Sequence, residues 1–139
     1  MPECLFCKIA KGELPSFTIY EDERTLAFLD INPVNPGHTL VIPKAHATNI
    51  FDISADDWAA VCETVRAIAG PIERALGASG VNLMMNNRET AGQVIDHPHV
   101  HIIPRQKGDG LHLWPQHQYA DGEAASVQAN ILHEVQKTA

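Results

Sequence analysis

Three histidines alternate with other residues in the segment GQVIDHPHVHIIPR, which covers residues 92–105. The segment has the apolar character of a β-strand, and side chains on a strand point alternately to its two faces. On that prediction His97, His99 and His101 project from one face, roughly 6.5–7 Å apart. A single histidine is commonly an ordinary polar residue, but three in strict alternation are hard to explain by packing. The pattern therefore predicts chemistry on this face.

Two kinds of chemistry suit alternating histidines. Imidazole is the commonest nitrogen ligand of metals, so the three side chains can form a metal centre. Neutral imidazole is also a nucleophile toward phosphorus, and its neighbours can bind phosphate oxygens or transfer protons. The spacing alone does not separate the two. The preceding residues NNRETAGQ favour the second, because a glycine-containing turn and amide side chains suit phosphate or ribose oxygens.

The cysteines offer a second group of ligands. Cys4-x-x-Cys7 has the spacing of half a structural zinc site, although a redox pair or two buried thiols fits it as well. The chain has three cysteines, so they cannot all pair with one another. In a reducing compartment a metal site or a redox pair is expected before a disulfide. We interpret Cys62, on the apolar stripe of a predicted helix, as a small core residue.

The remaining sequence predicts the elements that position these groups. Ser54 suits the N-cap of a long helix that ends near residue 77, and Pro71 predicts a kink or break at Gly70–Pro71, because proline lacks the N–H of a helix interior. Val127, Ile131, Leu132 and Val135 share one face of a C-terminal helix. A short helical turn is expected at residues 4–9, and strands are expected twice within 18–31 and once each at 38–43, 81–87 and 97–103. Together they predict an α+β fold: a largely antiparallel sheet of about five strands with one long helix packed on it.

Composition limits the classes of protein. A chain of 139 residues is most simply one domain, residues 1–139, with a real core. A net charge of −7 argues against general affinity for nucleic-acid backbones. No apolar run approaches the roughly 20 residues that span a membrane. The N-terminal stretch MPECLFCKIAKGE lacks a signal peptide's apolar segment, so we expect a cytoplasmic protein.

Three separated motifs resemble, in order, those of the histidine triad (HIT) family of nucleotide hydrolases and transferases. They are CLFCKIAKGELPS with IYED, then LAFLDINPVNPGHTLVIPKAH, then NNRETAGQ with HPHVHIIPR. The resemblance covers about residues 4–105, and the segment 106–139 diverges. It implies a HIT-like fold and an enzyme acting at the α-phosphate of purine nucleotides. The implied substrates are phosphoramidates, mixed anhydrides or dinucleoside polyphosphates.

The resemblance also implies a role for each motif residue. His99 becomes the nucleophile that forms a covalent nucleotidyl-histidine, oriented by the backbone carbonyl of His97, while His101 contacts the phosphoryl oxygens. Asn86 and Gln93 are expected to hydrogen-bond the phosphate, and Asp30 the ribose hydroxyls. His38 is a further candidate at the nucleotide end. An apolar base pocket is implied at Leu5, Phe6, Ile9, Leu14, Phe28 and Ile31.

Zinc-containing bacterial members and related uridylyltransferases suggest a metal site. On that resemblance Cys4, Cys7, His46 and His97 form a closed tetrahedral set for a structural zinc ion. Val94 departs from the small phosphoramidase-type members, many of which carry a serine or threonine there that is thought to help the leaving group depart. The resemblance further implies a homodimer, with Trp114 either at the interface or partly buried.

Two other functions remain compatible with the sequence. One is a nucleotide-binding regulatory module whose catalysis is incidental. The other is metal-dependent chemistry at the three histidines.

Overall fold

The computed structural model describes residues 4–138. Within that range five strands and three α-helices alternate with loops. In chain order they are α1 Leu5–Ala10, β1 Thr18–Glu21, β2 Thr25–Leu29, β3 Thr39–Pro43, α2 Ala55–Leu76, β4 Gly80–Met84, β5 Val100–Arg105 and α3 Glu123–Thr138, with a single 3₁₀ turn at Glu89–Ala91.

The strands form one sheet in the order β1-β2-β3-β5-β4, and every neighbouring pair is antiparallel. The α+β prediction with about five antiparallel strands and one long helix is therefore confirmed. β5 lies between β3 and β4, and its register places His101 opposite Leu40 and Val100 opposite Val41. The histidine segment thus leads into the interior of the sheet.

The two faces of the sheet bury different apolar groups. Val41, Val100 and Ile102 pack with Val61 and Val65 of α2 on one face. Because side chains alternate along a strand, Leu40 and His101 must face the other way. On that opposite face Leu40 clusters with Leu26, Phe28, Ile42 and Phe6 of α1. One face therefore holds the main core, and the other is left for the histidines.

The long helix begins and ends as its sequence predicts. The Ser54 side chain accepts a hydrogen bond from the N–H of Asp57 at 3.1 Å, and Gly77 closes the helix in the left-handed conformation with φ 58°. Of the kink or break predicted at Gly70–Pro71, the break is wrong, since α2 runs through Pro71 to Leu76. Ile72, directly after the proline, is buried in the core, and this packing offsets the lost backbone hydrogen bond.

Two further expectations need correction. Cys62 is exposed instead of buried, because α2 turns Val61, Thr64 and Val65 toward the sheet and leaves position 62 beside that face. The last strand begins at Val100, three residues later than expected, so His97 and His99 precede it. Pro98 contributes no N–H to a sheet ladder, which accounts for the late start.

Contacts divide the chain into a unit that ends at Asp109 and a second unit from Gly110 onward. In the second unit α3 has no buried residue, and Ile131, Leu132 and Val135 of its predicted apolar face are exposed. Trp114 is 81% exposed, so the reading of a partly buried tryptophan does not hold within one chain. No helix within residues 4–138 is long and apolar enough to cross a membrane.

Candidate functional site

A cavity of about 530 Å³ opens on the sheet face opposite α2. Its wall has an apolar part and a polar part. Most residues that the sequence assigned to a nucleotide site line it, namely Leu5, Phe6, Ile9, Leu14, Phe28, Asp30, Ile31, Asn86, His99 and His101.

His99 is buried beside this cavity with one ring nitrogen fixed. Its Nδ1–H donates to the backbone carbonyl oxygen of His97 at 2.7 Å, which leaves the Nε2 lone pair free. The Phe6 ring packs edge-on against it, with centroids 5.1 Å apart. Burial lowers the pKa of His99, although the hydrogen bond to His97 opposes the shift. A neutral imidazole in a fixed tautomer is the form that acts as a nucleophile.

His101 is oriented through a second histidine. The N–H of Val34 donates to His38 Nδ1 at 3.0 Å, so the proton of a neutral His38 is on Nε2. That Nε2–H lies 2.8 Å from His101 Nδ1 and donates to it. The proton of His101 is then on its own Nε2, a buried atom with no hydrogen-bond partner among the described residues. This N–H is a donor available to a ligand in the cavity.

Burial of His101, together with the nearby His99 and His38 rings, lowers its pKa to about 4. Asp30 opposes the shift. His101 is thus neutral at physiological pH, and it offers a polar N–H without adding a positive charge.

Asp30 and Asn86 supply the remaining polar groups that the sequence predicted in the cavity. One oxygen of Asp30 accepts from the N–H of Asn32 at 2.8 Å, and the other lies 3.7 Å from His38 Nε2. Asn86 donates from Nδ2 to the carbonyl oxygen of Gly92 at 3.3 Å. Gly92 has φ 97°, and a Cβ there would stand 3.3 Å from Asn86 Nδ2. Glycine therefore lets this turn approach the amide.

A set of four metal-ligating atoms includes His97, two residues before His99. One ligand atom from each of Cys4, Cys7, His46 and His97 falls within 4.8 Å of the others. His97 Nδ1 is 3.4 Å from Cys4 Sγ and 3.6 Å from Cys7 Sγ, and His46 Nδ1 is 3.2 Å from Cys7 Sγ. A tetrahedral ion with ordinary zinc bond lengths separates nitrogen and sulfur ligands by about 3.5 Å.

The chemistry of these side chains also fits a cation. His97 is fully buried and donates from Nε2 to the carbonyl oxygen of Pro43 at 2.7 Å, which directs the Nδ1 lone pair at the sulfurs. Burial and then the neighbouring Cys4 raise the pKa of the Cys7 thiol to about 11. The Cys7 thiol therefore resists ionisation without a cation, and a bound metal reverses that preference.

A second group of side chains, Asp30, His38 and His101, also lies close enough together to hold a metal. The distances allow a metal ion at this place, but the hydrogen bonds of His38 argue against one. His38 Nδ1 already accepts a backbone hydrogen bond, so its Nε2 carries a proton and has no lone pair for a metal. His38 and His101 instead form a hydrogen-bonded pair in which His38 is the donor.

A model of the HIT domain family matches residues 11–108. The chain belongs to the HIT domain family. Protein hit of Bacillus subtilis is 47% identical over 132 residues, which cover 92% of this chain and 91% of that protein. The adenosine 5′-monophosphoramidase of Schizosaccharomyces pombe is 36% identical over 134 residues, 95% of this chain and 98% of that enzyme.

A relative with a different named activity is the adenylylsulfatase of Arabidopsis thaliana. It is 45% identical over 109 residues, which are 78% of this chain but 55% of that enzyme. The chain thus spans about half the length of this relative.

Solved structures agree on the fold. A Streptococcus mutans protein superimposes with a TM-score of 0.91 at 40% identity, covering 97% of this chain and 87% of that chain. A zinc-bound histidine triad protein from Mycobacterium smegmatis matches with a TM-score of 0.76 at 33% identity, covering 99% and 98%.

In this HIT protein Gln93, which the resemblance assigned to the phosphate, does not line the cavity. It is buried outside the cavity, and its amide oxygen accepts from the N–H of Arg88 at 2.7 Å. Its Nε2 donates to the carbonyl oxygens of Thr48 at 2.6 Å and Ile95 at 3.0 Å. Both ends of the amide are occupied by backbone, so Gln93 holds two loops together.

The pairing of His38 with His101 is the relationship that sequence reasoning missed. His38 directly precedes β3, and it shares a strand face with Leu40, which lies opposite His101 in the register. A signal was present, because the third and fifth predicted strands both carried histidines. Finding it required knowing that these two strands are neighbours.

Proposed function

We propose that this HIT protein is a nucleotide hydrolase or nucleotidyl transferase acting at the α-phosphate of purine nucleotides through a covalent nucleotidyl-His99. The observation that carries the proposal is the 2.7 Å hydrogen bond from His99 Nδ1–H to the carbonyl oxygen of His97. It leaves one free, neutral nucleophilic nitrogen at the end of a cavity whose other wall is apolar. The named activities of the two enzyme relatives, an adenosine monophosphoramidase and an adenylylsulfatase, support a nucleotide substrate.

The reaction needs two displacements. His99 Nε2 attacks the α-phosphorus, a nitrogen–phosphorus bond forms, and the leaving group departs with the electron pair of its bond. The proton stays on Nδ1 of His99 and keeps donating to the carbonyl oxygen of His97, so the adduct is positively charged and remains activated for the second step. Water or another acceptor then attacks phosphorus, the nitrogen–phosphorus bond breaks with its electron pair returning to His99 Nε2, and the attacking oxygen releases its proton to solvent. The unpartnered Nε2–H of His101 donates to the phosphoryl oxygen that gains charge.

The nucleotide binds with its base against apolar side chains. Phe6 and Phe28 form an edge-to-face pair with centroids 5.5 Å apart at this end of the cavity. The free oxygen of Asp30 accepts from the ribose hydroxyls, and Asn86 donates to the phosphate. Asp30 and Asn86 both line the cavity already, so neither side chain has to break a buried hydrogen-bond network to bind the nucleotide.

The test is a comparison of His99→Ala and His99→Asn with wild type on a panel of purine nucleoside phosphoramidates, adenylyl sulfate and dinucleoside polyphosphates. Both variants should lose at least about a thousandfold in kcat while nucleotide affinity, measured by calorimetry, stays within a few fold. His133→Ala changes an exposed histidine of α3 and is the matched control.

The same experiment separates the alternatives. Tight nucleotide binding without turnover by the wild type indicates a regulatory module. Turnover that survives both chelation and His99 substitution contradicts the covalent mechanism and a metal centre at the three histidines alike.

We further propose that Cys4, Cys7, His46 and His97 hold a structural zinc ion. Four protein ligands close the tetrahedron and leave no position for substrate. The ion would tie α1, which carries Phe6, to the segment that carries the nucleophile. The agreement of the ligand distances with zinc geometry supports this proposal.

We propose, finally, that the protein is a homodimer. The edge strand β4 leaves Leu83 54% exposed, and Trp114 is 81% exposed, so apolar surface is available to a second copy. Light scattering coupled to gel filtration checks this. A single species at the monomer mass of 15.2 kDa over a wide concentration range contradicts it.

A further inference from the structure

The segment that carries His38 is fastened to the far end of β5 by a polar network of Asn35, Arg105 and Asp109. We propose that Asn35 and Asp109 are positioning residues for the nucleotide site. They hold the turn before β3 in place, and with it the contact between His38 and His101. The effect on turnover rests on the proposed function, but the geometry can be measured without a substrate.

The four residues that precede β3 form a tight turn of fixed shape. The N–H of His38 donates to the carbonyl oxygen of Asn35 at 3.1 Å. Pro36 occupies the second position and Gly37 the third with φ 88°, which matches a type II turn. Gly37 is also closely packed, since a Cβ there would stand 2.8 Å from Leu76 Cγ. The turn therefore has little freedom to bend, and a displacement of Asn35 carries His38 with it.

The Asn35 side chain fixes one end of this turn. Its Nδ2 donates to the carbonyl oxygen of Pro104 at 2.9 Å and to Asp109 Oδ2 at 3.1 Å. A carbonyl oxygen and an ionised carboxylate only accept hydrogen bonds, so the amide nitrogen of Asn35 must face both of them. The two hydrogens of one nitrogen thus join the turn to the backbone of β5 and to the loop that follows this strand.

Asp109 is itself held by Arg105. Arg105 Nε donates to Oδ2 at 2.7 Å and its Nη2 donates to Oδ1 at 3.0 Å, which makes the pair bidentate. The N–H of Gln106 adds a further hydrogen bond to Oδ2 at 3.1 Å. The Asp109 side chain is 8% exposed, so water competes little for these hydrogen bonds. Nη1 of Arg105 donates to Asn82 Oδ1 at 2.9 Å, which ties the pair to β4.

The two ends of the turn are attached to the two ends of one strand. Side chains alternate along β5, so Arg105 lies on the same face as His101. At the His101 end of the strand, His38 Nε2 is 2.8 Å from His101 Nδ1. A hydrogen bond weakens steeply beyond its normal length, so a shift of the turn by about 1 Å breaks this contact. The network at the end of β5 therefore secures the proton position of His101 near its start.

The test replaces the two anchoring side chains one at a time. Asn35→Ala removes both hydrogen bonds from the turn, and Asp109→Asn removes the carboxylate charge at nearly unchanged size. Each variant should lower kcat about fivefold with a smaller change in KM, because the loss falls on the contact of His101 with the reacting phosphoryl group. Glu63→Gln is the matched control, since Glu63 forms a bidentate pair with Arg66 on the exposed side of α2.

Two further measurements separate positioning from a general loss of stability. Nitrogen NMR of the free protein should show that Asn35→Ala changes His101 from the form with its proton on Nε2 to a mixture of both tautomers. In a double-mutant cycle, Asn35→Ala should lower kcat by less than about twofold when His38→Ala is already present, because the contact that Asn35 protects is then gone. Glu63→Gln should leave both the tautomer and kcat unchanged.

Three results would overturn the positioning role. One is an unchanged His101 tautomer in Asn35→Ala, whether or not kcat falls. Another is a wild-type kcat in both Asn35→Ala and Asp109→Asn. The third is a full additive loss of kcat in the double variant, since Asn35 then acts by a route other than His38. Turnover that persists in His99→Ala overturns the proposed function instead, and the tautomer measurement still decides whether the turn positions His101.

Discussion

His38 Nε2 lies 2.8 Å from His101 Nδ1, so the residue that precedes β3 sets the tautomer of a residue in β5. A hydrogen bond from Val34 N–H to His38 Nδ1 fixes the direction of the pair. The result is a single N–H of His101 left for the cavity. His38 therefore orients His101, and we propose it as a positioning residue that affects a ligand only through that neighbour.

Replacing His38 should remove the hydrogen bond that fixes the tautomer of His101. In His38→Ala the His101 ring can carry its proton on either nitrogen, so we expect kcat to fall by roughly tenfold with a smaller change in KM. His38→Gln keeps an amide N–H at similar reach and should recover much of the loss. Nitrogen NMR of the His101 ring reports its tautomer directly. If His101 keeps its proton on Nε2 in His38→Ala, then His38 does not set the tautomer.

The lowered pKa of His101 predicts a stability change in acid. Burial and the nearby His99 and His38 lower its pKa from 6.5 to about 4, while Asp30 opposes the shift. Between those values the unfolded chain binds a proton that the folded chain does not, so folding stability falls as the pH falls.

His101→Gln removes this titration. The free energy of unfolding that is lost between pH 7 and pH 4.5 should be smaller by roughly 1–2 kcal/mol in the variant. Urea unfolding at each pH measures it, and His117→Gln at an exposed position is the control. Parallel stability curves for His101→Gln and wild type would show that the residue is not held neutral.

The proposed zinc site can be tested by measuring how many zinc ions each chain binds. Protein purified without added metal should contain about one zinc per chain by mass spectrometry, and Cys4→Ser/Cys7→Ser should contain little. Cys62→Ser, at an exposed cysteine outside the set, should retain the full amount. Absence of zinc from wild type and double variant alike rejects the proposal. Where zinc is present, a strong chelator should lower the Tm by roughly 5–10 °C.

We expect Asp30 to accept hydrogen bonds from the ribose hydroxyls of the nucleotide. Asp30→Asn keeps the size of the side chain but replaces one acceptor oxygen by a donor, so affinity for a ribonucleotide should fall by about tenfold. Affinity for the matching 2′,3′-dideoxynucleotide should be almost unchanged by the substitution. Equal losses for both ligands would place the effect on His38, which lies 3.7 Å from the carboxylate, instead of on the sugar.

Sequence reasoning predicted the parts of this protein that local pattern determines. Alternation and capping located the strands and α2, because Ser54 and the apolar spacing act within a few residues. Prediction failed where long-range packing decides. The core carries α2 through Pro71, and the neighbouring positions of β3 and β5 bring His38 to His101. The resemblance named most cavity residues, but it could not show which amides face inward.

That distinction between amides gives a final prediction about Gln93 and Asn86. Gln93 is 6% exposed and forms hydrogen bonds with three backbone groups. Gln93→Ala leaves these buried groups without partners, so it should lower the free energy of unfolding by roughly 2–3 kcal/mol. Asn86 faces the cavity with one long hydrogen bond at 3.3 Å, so Asn86→Ala should cost less than about 1 kcal/mol but raise KM several-fold. Denaturant unfolding and steady-state kinetics on both variants check the pair. If Gln93→Ala instead weakens nucleotide binding at full stability, Gln93 turns toward the phosphate when a ligand enters, and the role first expected from the sequence is restored.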